Sequence, residues 1–182
     1  MYESLSHYLN ELLGSIPVSV YIGLALLFFS GTIIFILCYG VKKGAELSSK
    51  LLLLEYICLL FFTTVIFRPY DESIGYNLQP FWSYSKLMNH EVVIPAPDLV
   101  MNYVVFIPLG VLLGLSFKII KWWKVMLLGG GISICIECLQ YVTKRGFAEV
   151  DDVIHNTIGC MIGFGIYSLL KCYSYIQQKE SN

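Results

Sequence analysis

The sequence predicts an all-α fold, a polytopic membrane bundle of about five transmembrane helices, with the N-terminus outside and the C-terminus in the cytoplasm. Of the 182 residues, 57% are hydrophobic and only 14% are charged, whereas about 25% of an average soluble domain is charged. Mean hydropathy is +0.69, so a water-soluble fold would lack the polar side chains to cover its surface. The formal charge is −1, which gives no basic footprint for nucleic acid, and we expect no such partner.

The apolar segments predict a single membrane domain over residues 1–182. A bilayer core about 30 Å thick requires ~20 apolar residues in a helix. The segments that meet or approach this length lie near residues 18–39, 51–67, 99–117, 125–142 and 153–171. The last begins with polar residues, so a re-entrant segment that enters and leaves on one side is the alternative there.

Two further segments complete the predicted domain. Leucines in residues 1–16 approximate one helical face, which predicts a helix lying at the outer interface. The long loop 68–98 contains four prolines and many aromatic residues. Prolines limit helix formation, and aromatic rings favour the headgroup layer. We therefore expect loop 68–98 to be an ordered interfacial loop outside the membrane.

Lysine and arginine counts set the predicted orientation, because cytoplasmic loops carry the excess of these residues. One set of loops contains Lys42, Lys43, Lys50, Lys118, Lys121, Lys124, Lys171 and Lys179. The opposite loops contain only Arg68, Lys86, Lys144 and Arg145. The first set is therefore placed in the cytoplasm.

In this orientation, the polar residues that hydrocarbon should exclude gather near the outer leaflet. They are Arg68, Asn102, Glu137, Gln140, Arg145, Asp151, Asp152, His155 and Asn156. Glu137 has the largest expected free-energy cost of insertion into the membrane, since a charge at a helix centre costs at least ~2.5–3.5 kcal/mol on insertion scales. We expect it to face the bundle and to pair with Arg145 or Arg68, or else to be protonated.

Small residues behind this polar layer predict close helix packing. Gly159 and Gly163 form a small-xxx-small pair in the last span, and Gly110 and Gly114 form another in the third. Such pairs allow two helix backbones to approach closely in a membrane.

Several motifs together resemble the VanZ-like family. They are Arg68-Pro69, the run Asn77 to Phe81, the run Asn102 to Gly110, Glu137-Cys-Leu-Gln140, Arg145-Gly-Phe147, and Asp151-Asp152 followed by His155-Asn156-Thr157-Ile-Gly159. They cover residues 68 to 163 in the family's order. Glu149 stands where the family often has Asp, and His155 stands where it often has an aliphatic residue.

The resemblance implies a multi-pass protein of the bacterial cell membrane. The founding member of the family is associated with resistance to the glycopeptide teicoplanin, without altering the peptide terminus that the drug recognises. No defined reaction comes with the family. Its polar positions correspond here to Arg68, Asn77, Asn102, Glu137, Gln140, Arg145, Asp151, Asp152 and Asn156.

Two functional hypotheses follow, and the sequence leaves open whether the protein is an enzyme. In the favoured one, Arg68, Asn77, Asn102, Gln140, Arg145, Asp151 and Asn156 bind a lipid headgroup or a lipidated drug, with a membrane lipid, a lipid-linked cell-wall precursor or a lipoglycopeptide as partner. In the other, an enzyme acts on such a precursor, with Glu137 and Asp152 as catalytic residues. We expect no cofactor or metal site, although Asp151 and Asp152 could take a divalent cation.

The polar residues allow two further interpretations. A transporter is disfavoured, because the polar residues gather on one side of the membrane and no inverted repeat is visible. In the structural reading, the polar residues only connect helix ends. Asn102 and Asn156 suit that reading as interhelical hydrogen bonders, and Asp151 suits it as a cap of the last span.

Overall fold

The computed structural model describes residues 23, 30, 41–73, 75–88, 97–117 and 119–180. In chain order, the elements in this part are α1 (Val41–Phe61), a π-helical turn (Phe62–Ile66), β1 (Tyr76–Asn77), α2 (Trp82–Met88), α3 (Pro97–Ser116), α4 (Trp122–Thr143), β2 (Ala148–Glu149) and α5 (Val150–Glu180). The predicted all-α fold class is confirmed.

Three helical segments of the described chain are long and apolar enough to cross a membrane, namely Leu47–Ile66, Trp122–Thr143 and Val150–Lys179. They coincide with the predicted second, fourth and fifth spans. The predicted third span corresponds to the shorter apolar segment Val100–Ser116. The chain is therefore a membrane protein. The predicted first span and interfacial helix lie outside the described residues, apart from Gly23 and Ser30, which are helical.

Helix α5 covers the last apolar segment, for which the sequence left a span and a re-entrant segment as alternatives. It runs for 31 residues, Val150–Glu180, as one continuous helix. A re-entrant segment has to turn back within the membrane, and α5 contains no such turn. Its length at 1.5 Å per residue is about 46 Å, which exceeds the ~30 Å hydrocarbon core.

The chain divides into two compact units. The first contains the described residues up to Asn77 together with Cys135–Ala148, and the second contains Leu78–Ile134 and the chain from Glu149 onward. Helix α4 contributes its first part to the second unit and its last turns to the first.

In the first unit, α1 ends in an unusual way. The turn after Phe61 is π-helical, and Phe67 N donates to Phe62 O, five residues earlier. Thr64 Oγ1 also donates to Leu60 O at 2.7 Å. Hydroxyl groups that bond back to the preceding turn often bend a helix, and π-helical turns are frequent near functional sites.

The end of α4 is closed by a Schellman motif, a standard helix C-cap. Lys144 N donates to Tyr141 O, and Arg145 N donates to Gln140 O at 3.0 Å. Lys144 has a φ of 56°, the left-handed conformation that this motif requires. Beyond it, Ala148 N donates to Gly75 O, where β1 and β2 form a two-stranded sheet.

In the second unit, α3 and α5 pack backbone to backbone at glycines. A Cβ on Gly110 would overlap Cys160 O, and a Cβ on Gly163 would overlap Ile107 O. A Cβ on Gly159 would overlap Tyr103 O. These positions need the absence of a side chain, and the small-residue pairs therefore pack as the sequence predicts.

The long loop contains more regular structure than its prolines suggested. Strand β1 lies in it, and α2 forms a seven-residue helix, Trp82–Met88, directly after Pro80 and Phe81. Helix α2 belongs to the second unit. Its position near the start of α5 brings loop residues into the candidate site described next.

Candidate functional site

The end of α1 is held by two side chains from the end of α4. Gln140 Nε2 donates to Thr64 O at 2.8 Å. Arg145 Nη1 donates to Ile66 O at 2.7 Å and to Arg68 O at 2.9 Å. The last carbonyls of a helix lack intrahelical partners, and an arginine cation is favourable at a helix C-terminus. The structure thus brings three predicted site residues together, with Arg145 bound to backbone carbonyls.

Arg68 differs from Arg145 in exposure. Arg145 is buried, at 5% exposed, whereas the Arg68 side chain is exposed. The turn at Gly146 approaches Arg68 so closely that a Cβ there would lie 3.1 Å from Arg68 Nη1 and 2.9 Å from Gln140 Cδ. Glycine at 146 therefore allows this turn to pack on both predicted site residues.

The acidic residues that follow Arg68 have local partners. Asp71 Oδ1 accepts hydrogen bonds from Ser73 N at 2.9 Å and from Ser73 Oγ at 2.6 Å. These bonds favour the charged carboxylate and lower its pKa below the ordinary value. Tyr70 Oη lies 3.3 Å from Glu72 Oε1. Both carboxylates thus engage neighbours within their own turn.

Two other predicted residues also lie in the first unit. Glu137 is 7% exposed and Gln140 is 2% exposed, one helical turn apart on α4. The Gln140 Oε1 atom is buried and has no hydrogen-bond partner. Asn77 lies in β1 and is half-buried. The unit therefore contains a buried carboxylate, a buried amide oxygen and an exposed guanidinium.

Asp151, in the second unit, binds the backbone of α2. Its carboxylate accepts hydrogen bonds from Phe81 N and, at 3.0 Å, from Ser83 N. These are amide groups at the start of α2, where backbone donors lack helical partners and a negative charge is favourable. Asp151 is 0% exposed. The residue thus caps α2, whereas the structural reading of the sequence expected it to cap the last span.

The predicted asparagines join helices in the second unit. Asn102 Nδ2 on α3 donates to Asp152 Oδ1 on α5 at 2.6 Å. Asn156 Nδ2 on α5 donates to Ser133 Oγ on α4 at 2.8 Å. Both bonds are interhelical, as the structural reading expects for these two asparagines.

A chain of aromatic and imidazole groups in the second unit was missed by sequence reasoning. Tyr84 Oη lies 2.8 Å from Tyr103 Oη and 3.1 Å from His155 Nε2. His155 is 1% exposed, and its Nδ1 atom is buried with no hydrogen-bond partner. In the same unit, Trp82 Nε1 donates to Glu149 Oε2 at 2.9 Å.

These partners are separated by up to 71 residues in sequence, so no local spacing could have revealed them. The only sequence feature that pointed to this group of side chains was His155, which lies close to Asp151 and Asp152. For metal binding, the described part of the chain contains no group of three or more His, Cys, Asp or Glu side chains that could hold an ion.

The predicted polar layer is thus distributed over the two units. Arg68, Asn77, Glu137, Gln140 and Arg145 lie in the first, and Asn102, Asp151, Asp152 and Asn156 lie in the second. Within each unit, most of these polar groups bond to backbone or to another helix. The Arg68 side chain, by contrast, is exposed.

Comparison with known proteins identifies the family. A sequence model of VanZ/LLP1 matches residues 51–171, about two thirds of the chain. The chain belongs to the VanZ/LLP1 family. The match runs from α1 into α5 and includes every predicted site residue of both units, so the VanZ/LLP1 region and the polar groups described above coincide.

One curated relative extends this finding. The chain is 28% identical over 130 residues to Protein VanZ of Enterococcus faecium, which covers 69% of this chain and 76% of the relative. No solved structure matches the chain. The resemblance to a VanZ-like family, drawn from motifs between residues 68 and 163, is confirmed.

Proposed function

We propose that this VanZ/LLP1 protein resides in a bacterial cell membrane and contributes to resistance against teicoplanin-type glycopeptides. The observation that carries the proposal is the similarity to Protein VanZ over 69% of the chain. The three membrane-length helices support the location. The matched region also contains buried polar residues that membrane helices retain only at a cost, and such residues mark functional sites by default.

For the mode of action, we propose that the first unit binds a lipid headgroup or the lipidated drug. Arg68 would contact the anionic group, since a guanidinium binds phosphate or carboxylate through two parallel hydrogen bonds. The contacts of Arg145, Gln140 and Gly146 support this assignment, because they fix the backbone and surroundings of Arg68. The Asp71 and Glu72 carboxylates engage partners within their own turn.

The binding proposal predicts an effect of Arg68→Ala on drug retention. Purified full-length protein should retain teicoplanin saturably, and the variant should retain it about tenfold more weakly, since a charged hydrogen bond contributes about 1.5–3 kcal/mol. The fold should persist, because Arg145 contacts the carbonyl of Arg68 and the substitution leaves that carbonyl in place. Equilibrium dialysis against the drug would measure the affinity.

The control for this experiment is Lys144→Ala, which removes another exposed cation of the same unit. It should bind the drug as the unchanged protein does. If Arg68→Ala binds with the same affinity as the unchanged protein, Arg68 is not the contact. If both variants weaken binding equally, the effect reflects general charge rather than a site.

The resistance proposal predicts that Glu137→Gln abolishes protection. The substitution keeps the size of the buried side chain and removes its ability to ionise or to exchange a proton, so we expect susceptibility to return to that of cells with an empty vector. Teicoplanin susceptibility would be measured at matched membrane abundance. Glu55→Gln is the matched control, since Glu55 is also buried on a membrane helix, at 5% exposed, and lies outside the predicted site.

Full protection by Glu137→Gln would show that resistance does not require an ionisable carboxyl group at this position. Loss of protection by both glutamate variants would show that protection depends on buried carboxyl groups of the first unit in general. Glu137 would then no longer be assigned to the site. If the unchanged protein also gives no protection, the proposed resistance function itself is wrong.

A second candidate is an enzyme that acts on a lipid-linked cell-envelope precursor. The observation that favours it is the burial of Glu137 within a membrane helix, since carboxyl groups in partly dry sites serve as general acids or bases. In this case, lipid extracts of expressing cells should contain a modified precursor that disappears with Glu137→Gln. An unchanged precursor pool, together with drug retention, would favour the binding proposal.

A further inference from the structure

A groove of about 450 Å³ lies along the C-terminal half of α5 in the second unit. Its walls include Phe164, Tyr167, Lys171 and Tyr175 of α5, and Ile120 from the segment between α3 and α4. The Lys171 Nζ atom lies 5.8 Å from the centre of the Tyr167 ring. This cation–π contact holds the ammonium group against an aromatic wall.

The groove lies far along α5 from the polar residues at the start of that helix. The uninterrupted helix from Asp152 to Lys171 spans about 28 Å at 1.5 Å per residue, which is close to the ~30 Å thickness of the hydrocarbon core. The groove and the polar start of α5 therefore lie near opposite surfaces of the membrane.

The surroundings of the groove have the composition of a membrane interface. Trp122 is 60% exposed, Tyr173 is 63% exposed and Tyr175 is 70% exposed. The Lys124 Nζ atom lies 5.5 Å from the centre of the Trp123 ring. Exposed tyrosine and tryptophan anchor helices at the headgroup level, and these residues therefore favour a position of the groove near the phospholipid headgroups.

The charged residues of the groove wall and of the adjoining segment 117–124 are lysines. Residues 117–124, which contain Ile120, include three lysines and no acidic residue, and Lys171 lines the groove itself. Basic clusters between or beside membrane helices bind anionic lipid headgroups. The apolar rings of Phe164 and Tyr167 provide a surface for the first methylene groups of an acyl chain.

We propose that this groove is a binding site for an anionic phospholipid, with the phosphate on the Lys171 ammonium group and the acyl chain against Phe164 and Tyr167. The proposal rests on residues of the second unit and does not depend on the proposed drug-binding residues of the first unit. The bound phospholipid would hold the C-terminal end of α5 at one leaflet of the membrane.

Native mass spectrometry of the delipidated full-length protein tests the proposal, with phosphatidylglycerol and phosphatidylcholine as probes. The unchanged protein should bind phosphatidylglycerol in preference to phosphatidylcholine. Lys171→Gln should weaken phosphatidylglycerol binding about fivefold, the effect of one lysine near an anionic headgroup. Lys171→Arg, which retains the charge, should bind as the unchanged protein does.

Lys179→Gln is the matched control, because it removes an exposed lysine from the same helix outside the groove. It should leave phosphatidylglycerol binding unchanged. Equal binding by Lys171→Gln and the unchanged protein would overturn the proposal, as would equal losses in the two lysine variants or equal binding of the two lipids.

Discussion

Gly163→Ala should destabilise the second unit by about 3 kcal/mol or more. A Cβ on Gly163 would overlap the carbonyl oxygen and carbon of Ile107 and would lie 3.1 Å from its Cα. All three are backbone atoms, so no side-chain rotation can relieve the clash and α3 must move away from α5. The same separation would strain the contacts at Gly110 and Gly159, which lie in the same interface.

Thermal unfolding of the detergent-solubilised protein would measure this effect, and size-exclusion chromatography would report the loss of monodisperse protein. Gly165→Ala, two residues further along α5, is the control, because a Cβ there meets nothing within 4 Å. Alanine has a better helix propensity than glycine, so this variant should be as stable as the unchanged protein or slightly more stable. Equal melting temperatures for the two alanine variants would mean that α3 and α5 do not pack at Gly163.

Asp151→Asn should be the second most damaging substitution, with a cost of about 3 kcal/mol. Both carboxylate oxygens accept hydrogen bonds from backbone amides, Phe81 N and Ser83 N. An asparagine can accept only one of them through its oxygen, and its NH₂ group then faces another donor. Because Asp151 is fully buried, water cannot compensate for the lost bond.

The expected consequence is the release of α2, since Asp151 satisfies the amides at its start. Limited proteolysis should then cleave the variant faster around Phe81 and Trp82, and thermal unfolding should begin at a lower temperature. Asp152→Asn is the control, because its Oδ1 atom can still accept the hydrogen bond from Asn102 Nδ2. Identical cleavage rates for the two asparagine variants would contradict a capping role for Asp151.

Much of the fold could be predicted from the sequence, because its signals are local. Apolar stretches of membrane length marked the helical segments now seen as Leu47–Ile66, Trp122–Thr143 and Val150–Lys179. The spacing of Gly110, Gly114, Gly159 and Gly163 predicted helix faces that allow close packing, but the sequence did not show that α3 and α5 pack against each other there. Helix α2 was not anticipated, because proline content says little about a seven-residue helix whose first amides are satisfied by Asp151.

The candidate site was less predictable for a physical reason. Among the residues that polarity and depth selected, Glu137, Gln140, Arg145, Asp151 and Asn156 are buried, whereas Arg68 is exposed. Polarity does not show which of these groups bond to one another. The Asn156–Ser133 bond follows from how α5 packs on α4. Likewise, the three carbonyls that bind Gln140 and Arg145 exist as acceptors only because α1 ends where it does.

The way α1 ends also has a consequence for biosynthesis. The acceptors Thr64 O and Ile66 O precede their donors by 76 and 79 residues. At about 5–20 residues per second, the ribosome needs roughly 4–15 s to synthesise the intervening chain. During that interval the nascent α1 segment carries carbonyls whose final partners do not yet exist. The end of α1 is therefore completed only when the last turns of α4 arrive.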